Sequence, residues 1–134
     1  MGVFSGRRPN DLGVRNGLLK PVPGSPNAVS SQATGGYHPI EPLRYNGEAE
    51  PAMAALKSVI ESTPRTSIVE ERADYLYAEF TSMLIGYVDD VEFYFPPDEQ
   101  VIHVRSASRL GYSDLGVNRK RIEDTRTKLA AAGV

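Results

Sequence analysis

The chain has 134 residues, 40% of them hydrophobic and 24% charged, with no cysteine, two histidines and a formal net charge of −2. That length suits one domain with one core, and the composition excludes wholesale disorder. The small negative charge excludes a general nucleic-acid binder, and the missing cysteines exclude disulfides, thiolate metal sites and a cysteine nucleophile.

The N-terminus, MGVFSGRRPNDLG, lacks the apolar core of a signal peptide. No apolar run along the chain approaches the roughly 20 residues of a membrane helix. A soluble, cytoplasmic protein without a membrane span is therefore expected. Residues 1–47 hold most of the glycine and proline. No period of 2 or 3.6 survives there, so this stretch reads as an extended arm with turns. Its scattered apolar residues, Leu12, Val14, Leu18, Leu19, Val29, Ile40, Leu43 and Tyr45, suggest an arm that lies along the folded part. The arm (1–47) and an α+β domain (48–134) are the expected organisation.

A helix follows, with Pro51 at its first position, a stripe of Met53, Leu56, Val59 and Ile60, and Pro64 as its stop. Four strand-like runs come next, at 66–71, 74–84, 88–95 and 101–107. Leu76, Ala78 and Phe80 alternate with Tyr75, Tyr77 and Glu79, and Val91, Phe93 and Phe95 alternate with Asp90, Glu92 and Tyr94. Period two with one apolar and one polar face marks a half-buried antiparallel sheet. Pro96, Pro97 and Asp98 turn the third run into the fourth. A last helix is expected over about 118–132. The predicted fold is α+β: a two-layer sandwich of a four-stranded antiparallel sheet, two helices on one face and the extended N-terminal arm.

With Phe95 opposite Ile102, Glu92 faces Arg105 and Tyr94 faces His103. With Thr81 opposite Asp90, the next strand sets Glu79 beside Glu92 and Tyr77 beside Tyr94. A shift of two residues changes these partners but keeps the same side chains on the polar face. Such a face either carries cross-strand salt bridges in solvent or binds a polar ligand.

Charge is uneven along the chain. Residues 1–47 hold five basic and two acidic residues, 48–99 three and twelve, and 100–134 seven and three. Pairing of the middle with the C-terminal part is the plain reading of that pattern. After the fourth strand come Ser106, Ser108, Arg109, Tyr112, Asp114, Asn118, Arg119 and Arg121. Asn118 reads as the helix N-cap. Cations directly behind it oppose the helix dipole and call for an anion, from Asp114, Asp89, Asp90 or Glu92 or from a ligand. The candidate ligand-binding set is thus Glu92, His103, Arg105, Ser106, Ser108, Arg109, Tyr112, Asp114, Asn118, Arg119 and Arg121. No catalytic set stands out. No metal is expected, since Asp89 and Asp90 point to opposite faces of a strand, and no cofactor is expected.

The segments MGVFSGRRPNDLGV, SPNAVSSQ and VDDVEFYF…IHVRSASRLGYSDLGVNRKRIE resemble the bacterial and plastid family of domain of unknown function 1499 over nearly the whole chain. The resemblance implies no established activity. The family pattern has two cysteines flanking the S/T-P-N turn, and Val22 and Ala28 stand in those places here. A redox or disulfide role is therefore not implied for this member, and the Ser25-Pro26-Asn27 turn must hold without a staple.

The residues point first to a non-catalytic binding or accessory domain for a small anionic ligand or a protein partner. A small enzyme using Glu92, His103 and Arg105 in acid–base chemistry is a second reading, and a protein-assembly role a third.

Overall fold

The computed structural model describes residues 5–83, 85–111 and 113–134. In chain order the elements are β1 (Val14–Arg15), β2 (Leu18–Leu19), β3 (Ala28–Ser30), β4 (Leu43–Arg44), α1 (Ala49–Ser62), β5 (Thr66–Arg72), β6 (Tyr75–Thr81), β7 (Val88–Tyr94), β8 (Val101–Ser108) and α2 (Val117–Ala131). The architecture is α+β with two helices and a mostly antiparallel sheet. The sheet, however, has six strands where the pattern predicted four.

The four expected runs form the meander β5-β6-β7-β8. The two extra strands come from the arm. Both β3 and β4 pair antiparallel with the outer edge of β8, Ala28 opposite Ala107 and Leu43 opposite Ile102. Two- and three-residue strands leave almost no periodic signal in a Gly/Pro-rich stretch, and they form because the long edge of β8 offers unpaired N–H and C=O groups. A separate hairpin joins β1 and β2 across Asn16-Gly17, both at positive φ (55° and 76°). Asn-Gly suits that left-handed turn, because both residues tolerate the conformation that matches strand twist.

Register follows the sheet pattern with one change. Glu92 pairs with Arg105 and Tyr94 with His103, the register that follows from setting Phe95 opposite Ile102. The neighbouring pair lies two residues away from its expected place: Thr81 faces Val88, Glu79 faces Asp90, Tyr77 faces Glu92 and Tyr75 faces Tyr94. The slip keeps every side chain on its predicted face, because the pleat repeats every two residues.

Both helices cover one face. Leu56 and Ile60 of α1 and Ile122 and Leu129 of α2 pack with Leu76, Ala78, Val91, Phe93, Ile102 and Val104 of the sheet. Each such large side chain, taken fully from water, contributes roughly 1.5–3 kcal/mol. α1 starts at Ala49, so Pro51 sits inside its first turn, where a missing N–H costs nothing. α2 starts at Val117, with Gly116 and not Asn118 at its N-cap.

The opposite face, predicted to be open in a two-layer sandwich, is covered as well. Leu12, Val14 and Leu19 of the arm pack on Tyr75, Tyr77 and Tyr94. The arm thus acts as a third layer.

Candidate functional site

β6, β7 and β8 each turn alternate polar residues toward the arm. The resulting surface carries Tyr75, Tyr77, Glu79, Asp90, Glu92, His103, Arg105 and, just beyond β8, Arg109. Instead of solvent, most of it meets protein: Glu92 is 0%, Asp90 2% and Arg105 4% exposed. Charges so buried must be paired and hydrogen-bonded, since each carries a desolvation cost of several kcal/mol.

Arg109 is the best satisfied. Its Nε donates to Asp90 Oδ2 at 2.9 Å, and its Nη2 reaches Asp90 Oδ1 at 2.8 Å and also Glu79. Tyr77 Oη donates to the same Asp90 carboxylate at 2.5 Å. These bonds, Asp90 first, raise the Arg109 pKa above an already high value. Glu79 is held below the usual carboxylate range, first by the bond from Arg8 Nε at 2.7 Å.

Glu92 and Arg105 are satisfied only in part. Glu92 Oε2 accepts from Tyr75 Oη at 2.6 Å and from the Gly13 N–H of the arm at 2.8 Å. Its Oε1 has no hydrogen-bond partner among the described residues. Arg105 Nη1 stands 3.8 Å from that oxygen, an ion-pair distance too long for a hydrogen bond. Arg105 otherwise donates Nε to the Lys20 carbonyl at 2.9 Å and Nη2 to the Pro21 carbonyl at 3.2 Å. Burial pushes the Glu92 pKa up, against the bonds from Tyr75 and Gly13, and burial pulls Arg105 down. Both shifts report a pair whose charges are taken from water without full compensation.

Beside this pair a cavity of about 370 Å³ opens between arm and sheet. Arg105, Arg109, Arg7 and Lys20 line it, with Asp90 as the carboxylate in its wall and Pro21 and Val22 as its arm side. Glu92 and His103 are not among its lining residues. His103 sits further along β8, half-buried, with Nδ1 2.9 Å from Ser31 Oγ; burial lowers its pKa and favours the neutral ring.

The remaining predicted residues lie on the helix side. Asn118, fully buried, donates Nδ2 to Ser108 Oγ, to Asp114 Oδ2 and to the Asn27 carbonyl, and its Oδ1 accepts from Ser106 Oγ at 2.5 Å. Asp114 accepts from the Gly116 and Asn118 N–H groups at 2.8 and 3.0 Å. Burial alone would raise the Asp114 pKa, but the bonds from Asn118, Gly116 and Tyr37 outweigh it and hold the carboxylate low. The anion demanded at the start of α2 is thus supplied by the chain. Arg121 pairs with Asp89 at 2.6 Å, and Arg119 donates to the Pro39 and Tyr37 carbonyls. Tyr112 lies outside the described residues. The predicted set therefore divides in two, Glu92, His103, Arg105 and Arg109 toward the arm and Ser106, Ser108, Asp114, Asn118, Arg119 and Arg121 toward α2.

Sequence reasoning missed Arg7, Arg8, Gly13 and Lys20, all on the arm. The available signal was charge, since a basic arm and an acidic middle segment also complement each other. Without cysteines, the Ser25-Pro26-Asn27 turn is held by Asn27, whose Nδ2 donates to the Gly111 carbonyl and whose own carbonyl takes the Ser108 N–H.

These features define a small α+β domain whose sheet hides an ionic surface beneath its own N-terminal arm. The chain belongs to the family described as protein of unknown function (DUF1499), whose model matches residues 18–129. No curated protein matches it. Among the described residues no helix is long and apolar enough to cross a membrane, and no group of three or more His, Asp or Glu side chains is placed to hold a metal ion.

Proposed function

We propose that this protein is a non-catalytic binding or accessory domain whose cavity between arm and sheet takes a small anion, a carboxylate or a phosphate. The Arg105 guanidinium carries the reading. It is almost wholly buried, its Nη1 makes no hydrogen bond among the described residues, and it lines the cavity. Arg109 is neutralised by Asp90 and Glu79, and Lys20 is paired with Asp11 at 2.9 Å. Arg105 and the exposed Arg7 are left to meet a bound oxyanion, whose oxygens fit a guanidinium fork.

Titration of the labelled protein with phosphate, sulfate and small carboxylates tests this by amide shifts. Saturable shifts at residues 20–22 and 105–109 are expected for at least one anion, and Arg105→Met should abolish them. Arg7→Ala lies outside the buried surface and should weaken binding severalfold with folding intact. Flat titrations at those amides in the wild-type protein would overturn the proposal.

A further inference from the structure

The end of the sheet where β6 turns into β7 and β8 leads to α2 exposes apolar side chains on two neighbouring loops. Met83 is 70% exposed and Leu115 94%, and Ile85 and Val117 are about half exposed. Single exposed apolar residues are ordinary; a group at one end of a fold is not. The two loops are tied together, because Val117 and Ser82 line the same cavity and the Arg109 N–H bonds to the Val88 carbonyl. Ser82 Oγ accepts from the Gly86 and Tyr87 N–H groups at 3.0 and 2.9 Å, which ties the end of β6 to the approach to β7.

The presentation of Leu115 is costly. It adopts the left-handed conformation at φ 55°, which a leucine takes at a penalty of about 1–2 kcal/mol. The bonds of Asp114 on either side of the α2 start hold this strained tip against solvent. Backbone strain that delivers an apolar side chain to water points to a contact outside the molecule.

What covers it is indicated by charge. The cavity of about 370 Å³ that Val117 and Ser82 line is otherwise lined by the charged residues Arg65, Lys120, Arg121 and Lys128 against Asp124 alone. Arg121 is used by Asp89 and Lys120 by the exposed Asp124. The exposed Arg65 guanidinium has no hydrogen-bond or ion-pair partner among the described residues, and Lys128 Nζ donates only to Thr63 Oγ1 there. Exposed apolar side chains next to a cluster of cations complement an anionic bilayer, which offers acyl chains beneath phosphate headgroups.

We propose that this end of the protein docks peripherally on an anionic lipid surface, inserting Met83, Ile85, Leu115 and Val117 and setting Arg65 and Lys128 against headgroup phosphates. No membrane span is needed, and the site is separate from the Arg105 cavity.

Cosedimentation of the full chain with phosphatidylcholine vesicles, with and without phosphatidylserine, tests it. Binding is expected with phosphatidylserine at low salt, weakening as salt rises. Met83→Asp with Ile85→Asp should lower affinity at least about tenfold. Arg65→Glu and Lys128→Glu should each lower it about fivefold or more. Leu115→Gly relieves the left-handed strain, so it should keep or raise thermal stability while weakening vesicle binding. Arg105→Met, where folded, should bind vesicles as the wild type does. Absence of binding to either vesicle at low salt, or binding unchanged by the loop variants, overturns the proposal. So does vesicle-independent self-association that Leu115→Gly abolishes, which would make the occupant a second copy of the chain.

Discussion

On the helix side of the sheet, Leu76, Val91, Phe93 and Val104 meet Leu56, Ile60 and Ile122. On the arm side, the residues between them in sequence meet the arm: Tyr75 and Tyr77 pack on Leu12, Val14 and Leu19, Glu92 takes the Gly13 N–H, and Arg105 donates to the Lys20 and Pro21 carbonyls. The two faces are buried about equally well, but by different physics. Apolar packing has no direction and leaves nothing unpaired. Ionic burial demands a partner for each oxygen and each N–H. Arg109 and Tyr77 meet that demand for Asp90, while the arm's Gly13 N–H reaches only Oε2 of Glu92 and leaves Oε1 without a hydrogen bond among the described residues. The other half of the Glu92–Arg105 pair, the Arg105 guanidinium at the cavity, is where an anion gains most from binding.

Three variants separate the faces. The largest loss is expected on the helix side: Phe93→Ala empties a site of 0% exposure and should cost about 4 kcal/mol in urea denaturation, nearly independent of pH. Arg109→Met comes next, at about 3 kcal/mol, because it strands the buried Asp90 and removes one of the two cations at Glu79. That loss should shrink in Arg109→Met with Asp90→Asn, which removes the stranded charge. Equal losses in the single and double variants would mean that Arg109 matters for packing and not for charge.

Glu92→Gln should have the smallest effect at neutral pH, within about 1 kcal/mol, since it removes a burial cost and an attraction to Arg105 together. Its readout is the pH dependence. A raised carboxylate pKa means that the folded state holds the proton more tightly than the unfolded one. Stability from Glu92 is then greatest at low pH and is lost as pH rises from the usual carboxylate range through the raised value. Glu79 and Asp114 act oppositely, losing their contribution as pH falls through their depressed values. Wild-type stability measured from about pH 4 to 8 should carry the falling Glu92 component, and the Gln variant should lack it. Identical pH profiles would place Glu92 in a better solvated state than its burial indicates.

Much of this was legible locally. Alternation put Tyr75, Tyr77, Glu79, Asp90, Glu92 and Tyr94 on one face and Leu76, Ala78, Val91 and Phe93 on the other, because the pleat involves only neighbours. The α1 stripe was equally plain. Ser106 and Ser108, by contrast, read as following the last strand but belong to β8. Asn16-Gly17 is a hairpin signal that the reading of this stretch as an extended arm passed over. The site was legible as a set of polar residues but not as an arrangement, since alternation alone does not say what lies above a face.

By itself, then, the sequence determined the meander, the two covering helices and the chemical difference between the faces, all consequences of steric periodicity within a few residues. Tertiary structure decided that the arm supplies two more strands to β8 and closes the polar face, that β6 slips two residues against β7, and that Asp114, not a ligand, answers the helix dipole. Those outcomes rest on contacts between segments tens of residues apart, where many pairings satisfy the same local pattern. Only the competition of buried partners for every charge selects one of them.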